Sequence, residues 1–329
     1  MDFDLNDEQK QIKQVAHDLL AARSPWAKVR QAAEAGEYDS GLWRELVELG
    51  WPGIAVSAEH GGQGLGAVEL SVLLEELGYA CAATPFYSTA TAAAVIEATG
   101  SDAQRSRWLD PLASGEATAG IGTRELAADA AQAAVIVLVD GDEASLLDPA
   151  QATVEPLVSI DPTRRFATVS GEGEPLGPGA ADRVRSALAA EVVGVCQRAL
   201  DMTLDYVKDR KQFGVPVGSF QAVAHRCAQM LLHTESGRSA AYFAAWAADA
   251  DPERLPEAAA LAAAATADGG REVTASAIQA HGGIGFTWEA DVHWLYKRAQ
   301  LDAALLGGGR RHRAALARLG AARVRVGTG

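Results

Sequence analysis

The hydrophobic period changes twice along this chain, and that double switch limits the folds open to it. In residues 3–22, Ile12, Val15, Ala16, Leu19 and Leu20 recur at the spacing of one helix face, with Asn6 placed as N-cap. Leu42, Leu46 and Leu49 repeat the pattern over 42–49, where Trp51-Pro52-Gly53 stops it. Leu70, Leu73, Leu74 and Leu77 carry it over 67–79, and further helices are expected over 88–99 and 102–112. The apolar runs then shorten to strand length, at 118–123, 134–139 (AVIVLV), 143–147, 152–158 and 166–170, with Asp140-Gly141-Asp142 as a turn. Helical period returns near Ala180 over 187–209, 220–248 (Val223, Cys227, Met230 and Leu231 inward), 258–281, 291–306 and 310–323. Long alanine-rich helices joined by short loops predict a four-helix bundle. The expected fold is mainly α: an N-terminal helical domain over 1–114, a small antiparallel β module over 115–178 and a C-terminal bundle over 179–329.

Composition narrows the ligand classes. The net charge of −14 is the opposite of the basic footprint that nucleic acid requires. A polyanionic ligand must then be met by local arginines and backbone N–H groups rather than by the overall field. Cys81, Cys196 and Cys227 are too few and too scattered for a disulfide framework or a metal site, and are expected as core thiols of a reducing cytoplasm. The histidines (His17, His60, His225, His233, His281, His293, His312) show no metal-ligand spacing. Met1–Lys10 is acidic and polar, unlike a signal peptide, and the most apolar run, Ala258–Ala265, is too short to span a bilayer. A cytoplasmic, metal-free globular protein is expected, binding neither nucleic acid nor membrane.

Two stretches concentrate the chemistry. Gln279–Glu289 (QAHGGIGFTWE) places Gly282, Gly283 and Gly285 between two helices, where a backbone without Cβ atoms approaches a ligand closely and an N–H helix end suits a phosphate. Asp209–Gln221 (DRKQFGVPVGSFQ) offers Arg210, whose planar fork matches a pyrophosphate, and Phe213, whose ring can face a purine. The plain alternatives are a connecting turn for the first, and a helix C-terminal cation with a core aromatic for the second.

The pattern R-x-Q-F-G-x-P-x-x-x-x-Q followed by Q-x-x-G-G-x-G-[FY]-x-x-E, with the loop Gly53–Gly64 as G-x-x-x-x-x-E-x-G-G-x-G, resembles the acyl-CoA dehydrogenase family over nearly the whole chain. The resemblance implies FAD-dependent α,β-dehydrogenation of an acyl-CoA thioester, a carboxylate taking the α-proton, FAD accepting the β-hydride, and an electron-transfer flavoprotein as acceptor. It implies that Arg210 contacts the FAD pyrophosphate and Phe213 the adenine, with Gln212 counted in the same motif. Gln279, Gly282 and Gly283 would hold the adenosine and diphosphate end. The FAD concerned belongs to a neighbouring subunit.

Other family positions are altered. The stretch T-E-P-x-x-G-S-D that holds the flavin ring reads Gly120–Ala128 (GIGTRELAA) here, keeping little beyond Thr123. The following W-[IV]-[ST] has no counterpart, since no Trp lies between Trp108 and Trp246, and the β module is truncated against the family's usual size. Leu306 stands where the family's base glutamate precedes Gly-Thr, and Val184 falls at the alternative base position, so no catalytic residue is expected in this chain. Glu191, among Ala189, Ala190, Val192 and Val193, is the replacement base to weigh: burial raises a carboxyl pKa, whereas pairing with an arginine holds it down. Glu289 matches a structural position. Arg183 and Arg185 are placed either at the CoA or thioester pocket or in solvent. Arg310, Arg311, His312 and Arg313 either touch FAD or CoA across an interface or form a solvated helix face.

These departures, with the resemblance, imply the shortened subunit of a heteromeric α2β2 enzyme, like the actinobacterial ones that degrade steroid (cholesterol) side chains. A full-length acyl-CoA dehydrogenase partner would bring the ring-binding loops and the base, and truncation would widen the cleft for a bulky acyl group. Two other readings stay open: a self-sufficient homotetramer with a relocated carboxylate base, and a non-catalytic assembly or carrier-binding protein that has lost FAD.

Overall fold

Asn6 opens the first helix, α1 (Asp7–Arg23): its side chain accepts from Gln9 N–H while Gln9 returns a bond from Asn6 N–H, so two otherwise unpaired donors are satisfied. The computed structural model describes residues 4–305 and 307–326 of the chain. α2 (Trp26–Ala35) was not expected from the pattern, because its buried side is only Val29, Ala32 and Ala33, too small to raise a clear helical stripe. α3 (Ser40–Glu48), α4 (Ala67–Tyr79), α5 (Phe86–Thr99) and α6 (Asp102–Ala113) follow. The loop before α4 packs backbone on backbone: a Cβ on Gly62 would lie 2.2 Å from the Val56 carbonyl oxygen. Gly62 serves packing, whereas Gly61 and Gly64 supply positive φ of +73° and +68°.

The middle module is a seven-stranded sheet in the order β5-β6-β2-β1-β3-β4-β7. Its strands are β1 (Ala119–Gly122), β2 (Ala127–Ala128), β3 (Val135–Asp140), β4 (Glu143–Leu147), β5 (Thr153–Leu157), β6 (Phe166–Ser170) and β7 (Glu174–Pro175). The antiparallel expectation is corrected at one pair, since β1 and β3 run parallel with Ile121 opposite Val137. The connection between them reverses twice, out along β2 and back through a single 3₁₀ turn at Ala130–Gln132, so β3 returns in the direction of β1. β2 and β7 are two residues each, too short to show a period.

The bundle comprises α7 (Ala180–Asp209), α8 (Gln221–Ala250), α9 (Leu255–His281), α10 (Val292–Leu305) and α11 (Gly309–Val326). Small residues let these axes approach: a Cβ on Gly194 of α7 would fall 1.8 Å from the Glu75 carbonyl oxygen of α4. Val15 and Leu231, expected inward, are about half exposed instead, whereas Cys227 and Met230 one turn away are buried. All three cysteines are buried free thiols. No helix among the described residues is long and apolar enough to cross a membrane.

Candidate functional site

The two glycine-bearing stretches meet at one end of the bundle. Tyr206, in the last turn of α7, stacks on His281, in the last turn of α9, with ring centroids 4.4 Å apart. This fixes the segment after α7 beside the turn after α9. Beyond Arg210, which caps α7, the chain makes a short hairpin, β8 (Lys211–Gln212) against β9 (Val215–Pro216). The two residues joining these strands, Phe213 and Gly214, have φ of +53° and +81°. A two-residue hairpin turn with both φ positive matches the twist of its strands but is normally built from Asn and Gly. A phenylalanine there is strained, and its ring is 94% exposed, edge-on to Phe220 at 6.3 Å. The core-anchor alternative for Phe213 is therefore excluded. Arg210, Gln212 and Gln279 are exposed beside it.

The glycine turn forms a 3₁₀ segment, Gly282–Phe286, between α9 and α10. A Cβ added at Gly282 or Gly283 would meet nothing within 4 Å, and Gly283 does not have a positive φ. Nothing among the described residues demands glycine at 283. Phe286 and Trp288 stand out from the same turn, 77% and 72% exposed. This end of the molecule presents polar side chains, open backbone and exposed rings to solvent.

Where the family carries its acid–base chemistry, the described residues leave little room. Thr123, Tyr87, Val184, Leu188 and Leu305 surround a space of only about 40 Å³, roughly one water's share of liquid. Leu306, at the family's base position, lies outside the described residues. Val184 is buried and apolar, with no proton to exchange. The expected widening of the cleft is not found among the described residues.

Behind that space sits a buried charge cluster that the sequence pattern did not reveal. The segment between β5 and β6 carries Asp161, Thr163 and Arg164 inward, against Glu191 of α7 and Arg298 and Asp302 of α10. Arg298 donates to Asp161 Oδ2 at 2.7 Å, to Thr163 Oγ1 at 2.6 Å and to Glu191 Oε1 at 2.8 Å. Arg164 donates to the same Glu191 oxygen and to Asp302 Oδ1 at 2.8 Å, and lies over the Tyr87 ring. Burial pushes the Glu191 carboxyl upward, but the two guanidiniums more than offset it and hold it below its ordinary value. Of the two readings weighed for Glu191, the arginine-paired one is found, and a carboxylate clamped by two arginines is poorly suited to take a proton from a substrate. Asp302 goes the other way, to about 7, raised by burial against the pull of Arg164, and its Oδ2 has no partner. In the sequence the Asp161-Pro162-Thr163-Arg164-Arg165 run carries both charge signs and no apolar period to mark it as buried.

The remaining predicted residues are used by the fold. Arg185 is buried and ties Asp182 (2.6 Å) to the Gly141 carbonyl and Asp142 (3.2 Å), while Arg183 donates to the Ala248 carbonyl at 2.8 Å. Neither is a free cation for CoA. Arg310, Arg311 and Arg313 are exposed, but His312 is buried and so leaves the expected patch. Asp129, just past the altered ring-binding stretch, is buried at φ +60° and accepts from the Tyr38 and Ser88 hydroxyls. It pins helix to sheet. Burial raises its pKa.

Comparison with known proteins gives a consistent picture. Residues 6–116 match the N-terminal domain of acyl-CoA dehydrogenase and residues 178–320 its C-terminal domain. The chain is 35% identical to acyl-CoA dehydrogenase IpdE2 of Mycobacterium tuberculosis (strain ATCC 25618 / H37Rv), over 91% of its own length and 93% of the relative's. It is 33% identical to FadE34 of the same strain, covering 92% of this chain and 47% of that one. Among solved structures, the Tcur3481-Tcur3483 steroid ACAD G363A variant superposes with a TM-score of 0.86 at 26% identity, covering 97% of this chain and 99% of that one. The ChsE4-ChsE5 complex from Mycobacterium tuberculosis has the same fold, with a TM-score of 0.84 at 22% identity over 97% and 98% of the two chains.

Proposed function

This chain belongs to the acyl-CoA dehydrogenase family of FAD-dependent oxidoreductases, and from that premise we propose that it works as the shortened, base-lacking subunit of a heteromeric enzyme. One contrast carries the reading. The end of the molecule that would grip adenosine diphosphate is intact and open, whereas the space flanked by Val184 and Leu305 has shrunk to about 40 Å³ and Glu191 is locked between two arginines.

In this reading Arg210 and the backbone of Gly282 and Gly283 hold the FAD diphosphate, Gln212 and Gln279 supply polar contacts, and Phe213 covers the adenine. These residues fit that half of FAD; the remnants of the ring-binding stretch do not fit the other half. When bound, FAD supplies the hydride acceptor of the reaction. A full-length partner subunit supplies the loops at the ring, the base and the acyl cleft, in an α2β2 arrangement, with an electron-transfer flavoprotein receiving the electrons. The bulky, steroid-type acyl-CoA is supported by the superposed relative described as a steroid enzyme. The charge cluster then serves as filling: it occupies the interior behind a cleft that no longer turns over. The homotetrameric alternative is disfavoured by the clamped Glu191, and the FAD-free alternative by the strained, exposed Phe213.

The test is to purify the chain alone and together with its partner subunit. A colourless, inactive chain alone and a complex with one FAD for every two polypeptides are expected. A yellow, active preparation of this chain by itself would refute the heteromeric reading.

A further inference from the structure

A cavity of about 480 Å³ opens between the end of α9, the glycine turn and the start of α10. Its size is that of a small-molecule site. Trp288, Phe286, Tyr296 and Ile278 give it apolar walls. Two polar groups face it without partners of their own. The His293 side chain is only 9% exposed, yet neither ring nitrogen has a hydrogen-bond partner. A buried imidazole with both nitrogens idle is costly and calls for a ligand. The Lys297 ammonium rests 4.1 Å from the Trp288 ring centroid and 4.5 Å from that of Trp294, and among the described residues it forms no ion pair. The carboxylate whose charge reaches Lys297, Asp161, is already held by Arg298 at 2.7 Å.

We propose that this cavity binds a small organic acid: its carboxylate seated on Lys297 and hydrogen-bonded by His293, its ring-bearing apolar body held between Trp288, Phe286 and Tyr296. A single ammonium matches a single negative charge, whereas a phosphate dianion would call for a guanidinium fork or a nest of N–H groups. An uncharged purine would use the rings and the imidazole but leave Lys297 uncompensated. Aromatic walls on several sides favour a flat or fused ring body over a flexible chain, which loses more freedom on binding. The cavity shares Gln279 with the residues assigned to FAD, whereas Arg210, Phe213 and Gly283 do not line it, so the test below reads FAD content beside acid binding.

The full chain is titrated calorimetrically with deoxycholate below its micellar concentration, with its methyl ester as the uncharged control and decanoate as the flexible one. Deoxycholate is expected to bind, with ester and decanoate each weaker by about tenfold or more. Lys297→Met and His293→Phe should each weaken deoxycholate by about tenfold or more, and Lys297→Arg should keep the affinity within about threefold. FAD content of the assembled complex should be unchanged in Lys297→Met, whereas Arg210→Ala reads the FAD assignment separately. Equal binding of acid and ester, no binding, or an unaffected Lys297→Met would overturn the proposal. So would loss of FAD in Lys297→Met, which would make the anion a flavin phosphate, or displacement of the acid by the partner subunit.

Discussion

Replacing Glu191 separates a structural from a catalytic carboxylate, and the structure supplies both the size and the pH dependence of the effect. Two guanidiniums, Arg164 and Arg298, face three carboxyl groups, Asp161, Glu191 and Asp302, in a dry interior. Two cations balance two anions, so the third carboxyl keeps its proton; burial raises Asp302 to about 7 and makes it that third group. Glu191→Ala removes the oxygen that receives a charged hydrogen bond from each arginine, and breaking a buried pair in this way costs about 3–5 kcal/mol. Glu191→Gln keeps an acceptor but removes the charge, and Asp302 then ionises to restore the balance. The sign follows from proton counts. In the wild type, Asp302 holds a proton that the unfolded chain releases above the ordinary aspartate value of 3.8, so its contribution to stability is lost as pH rises from about 4 to about 7. In Glu191→Gln that dependence disappears, so the mutational penalty is larger at pH 5.5 than at pH 8, by roughly 2 kcal/mol at about 1.4 kcal/mol per pH unit. Denaturant unfolding at both pH values measures it, alongside turnover of the co-assembled enzyme. A penalty that is flat or grows with pH refutes the charge accounting. Lost turnover at unchanged stability would make Glu191 the base.

Three further outcomes test the grip on FAD. Arg210→Ala should loosen FAD in the assembled complex by about 1.5–3 kcal/mol, the range for a charged hydrogen bond, as read by equilibrium dialysis of the flavin. Gly283→Ala should leave the melting temperature of the chain unchanged or slightly raised, because its Cβ meets nothing within 4 Å, yet lower FAD occupancy in the complex. Phe213→Gly should stabilise the chain by up to about 1 kcal/mol by relieving the left-handed strain while weakening FAD; a Phe213→Gly that destabilises would show the ring to be a packing residue after all.

What the sequence disclosed and what it withheld divide along a physical line. Long amphipathic helices announced themselves: α4 was expected at Ala67–Tyr79 and is found there, because four leucines on one face outweigh any local noise. α2, β2 and β7 stayed hidden because their buried residues are small or their lengths are two residues. The grip was legible as motif, since glycines and an Arg-x-Gln-Phe-Gly turn are local, and the structure adds that Phe213 is strained and exposed and that Gly283 is open. The charge cluster was not legible, because its members lie 27 to 138 residues apart in Arg164's own contacts and each looks like an ordinary surface charge until the fold gathers them. Cavity and cluster depend on the same helix: α10 turns Arg298 and Asp302 inward and His293 and Lys297 toward the cavity.

On the reading proposed above, that sharing bears on how a base-lacking subunit keeps its interior packed. An acyl-CoA dehydrogenase cleft emptied of its base and ring loops would leave a void between β module and bundle, costing about 24 cal/mol for each Å³ left unfilled. Arg164 reaches in from the β5–β6 segment and Arg298 from α10 to meet on Glu191 Oε1, so the interior is filled by groups that satisfy one another. Replacing the cluster by apolar residues of similar volume, Arg164→Met with Glu191→Leu, Arg298→Met, Asp161→Leu and Asp302→Leu together, should therefore be neutral or stabilising, whereas changing either arginine or Glu191 alone should cost about 3–5 kcal/mol. The non-additivity is the readout. If the single changes simply summed to the combined one, the cluster would be a collection of independent contacts and the closed cleft would need another cause.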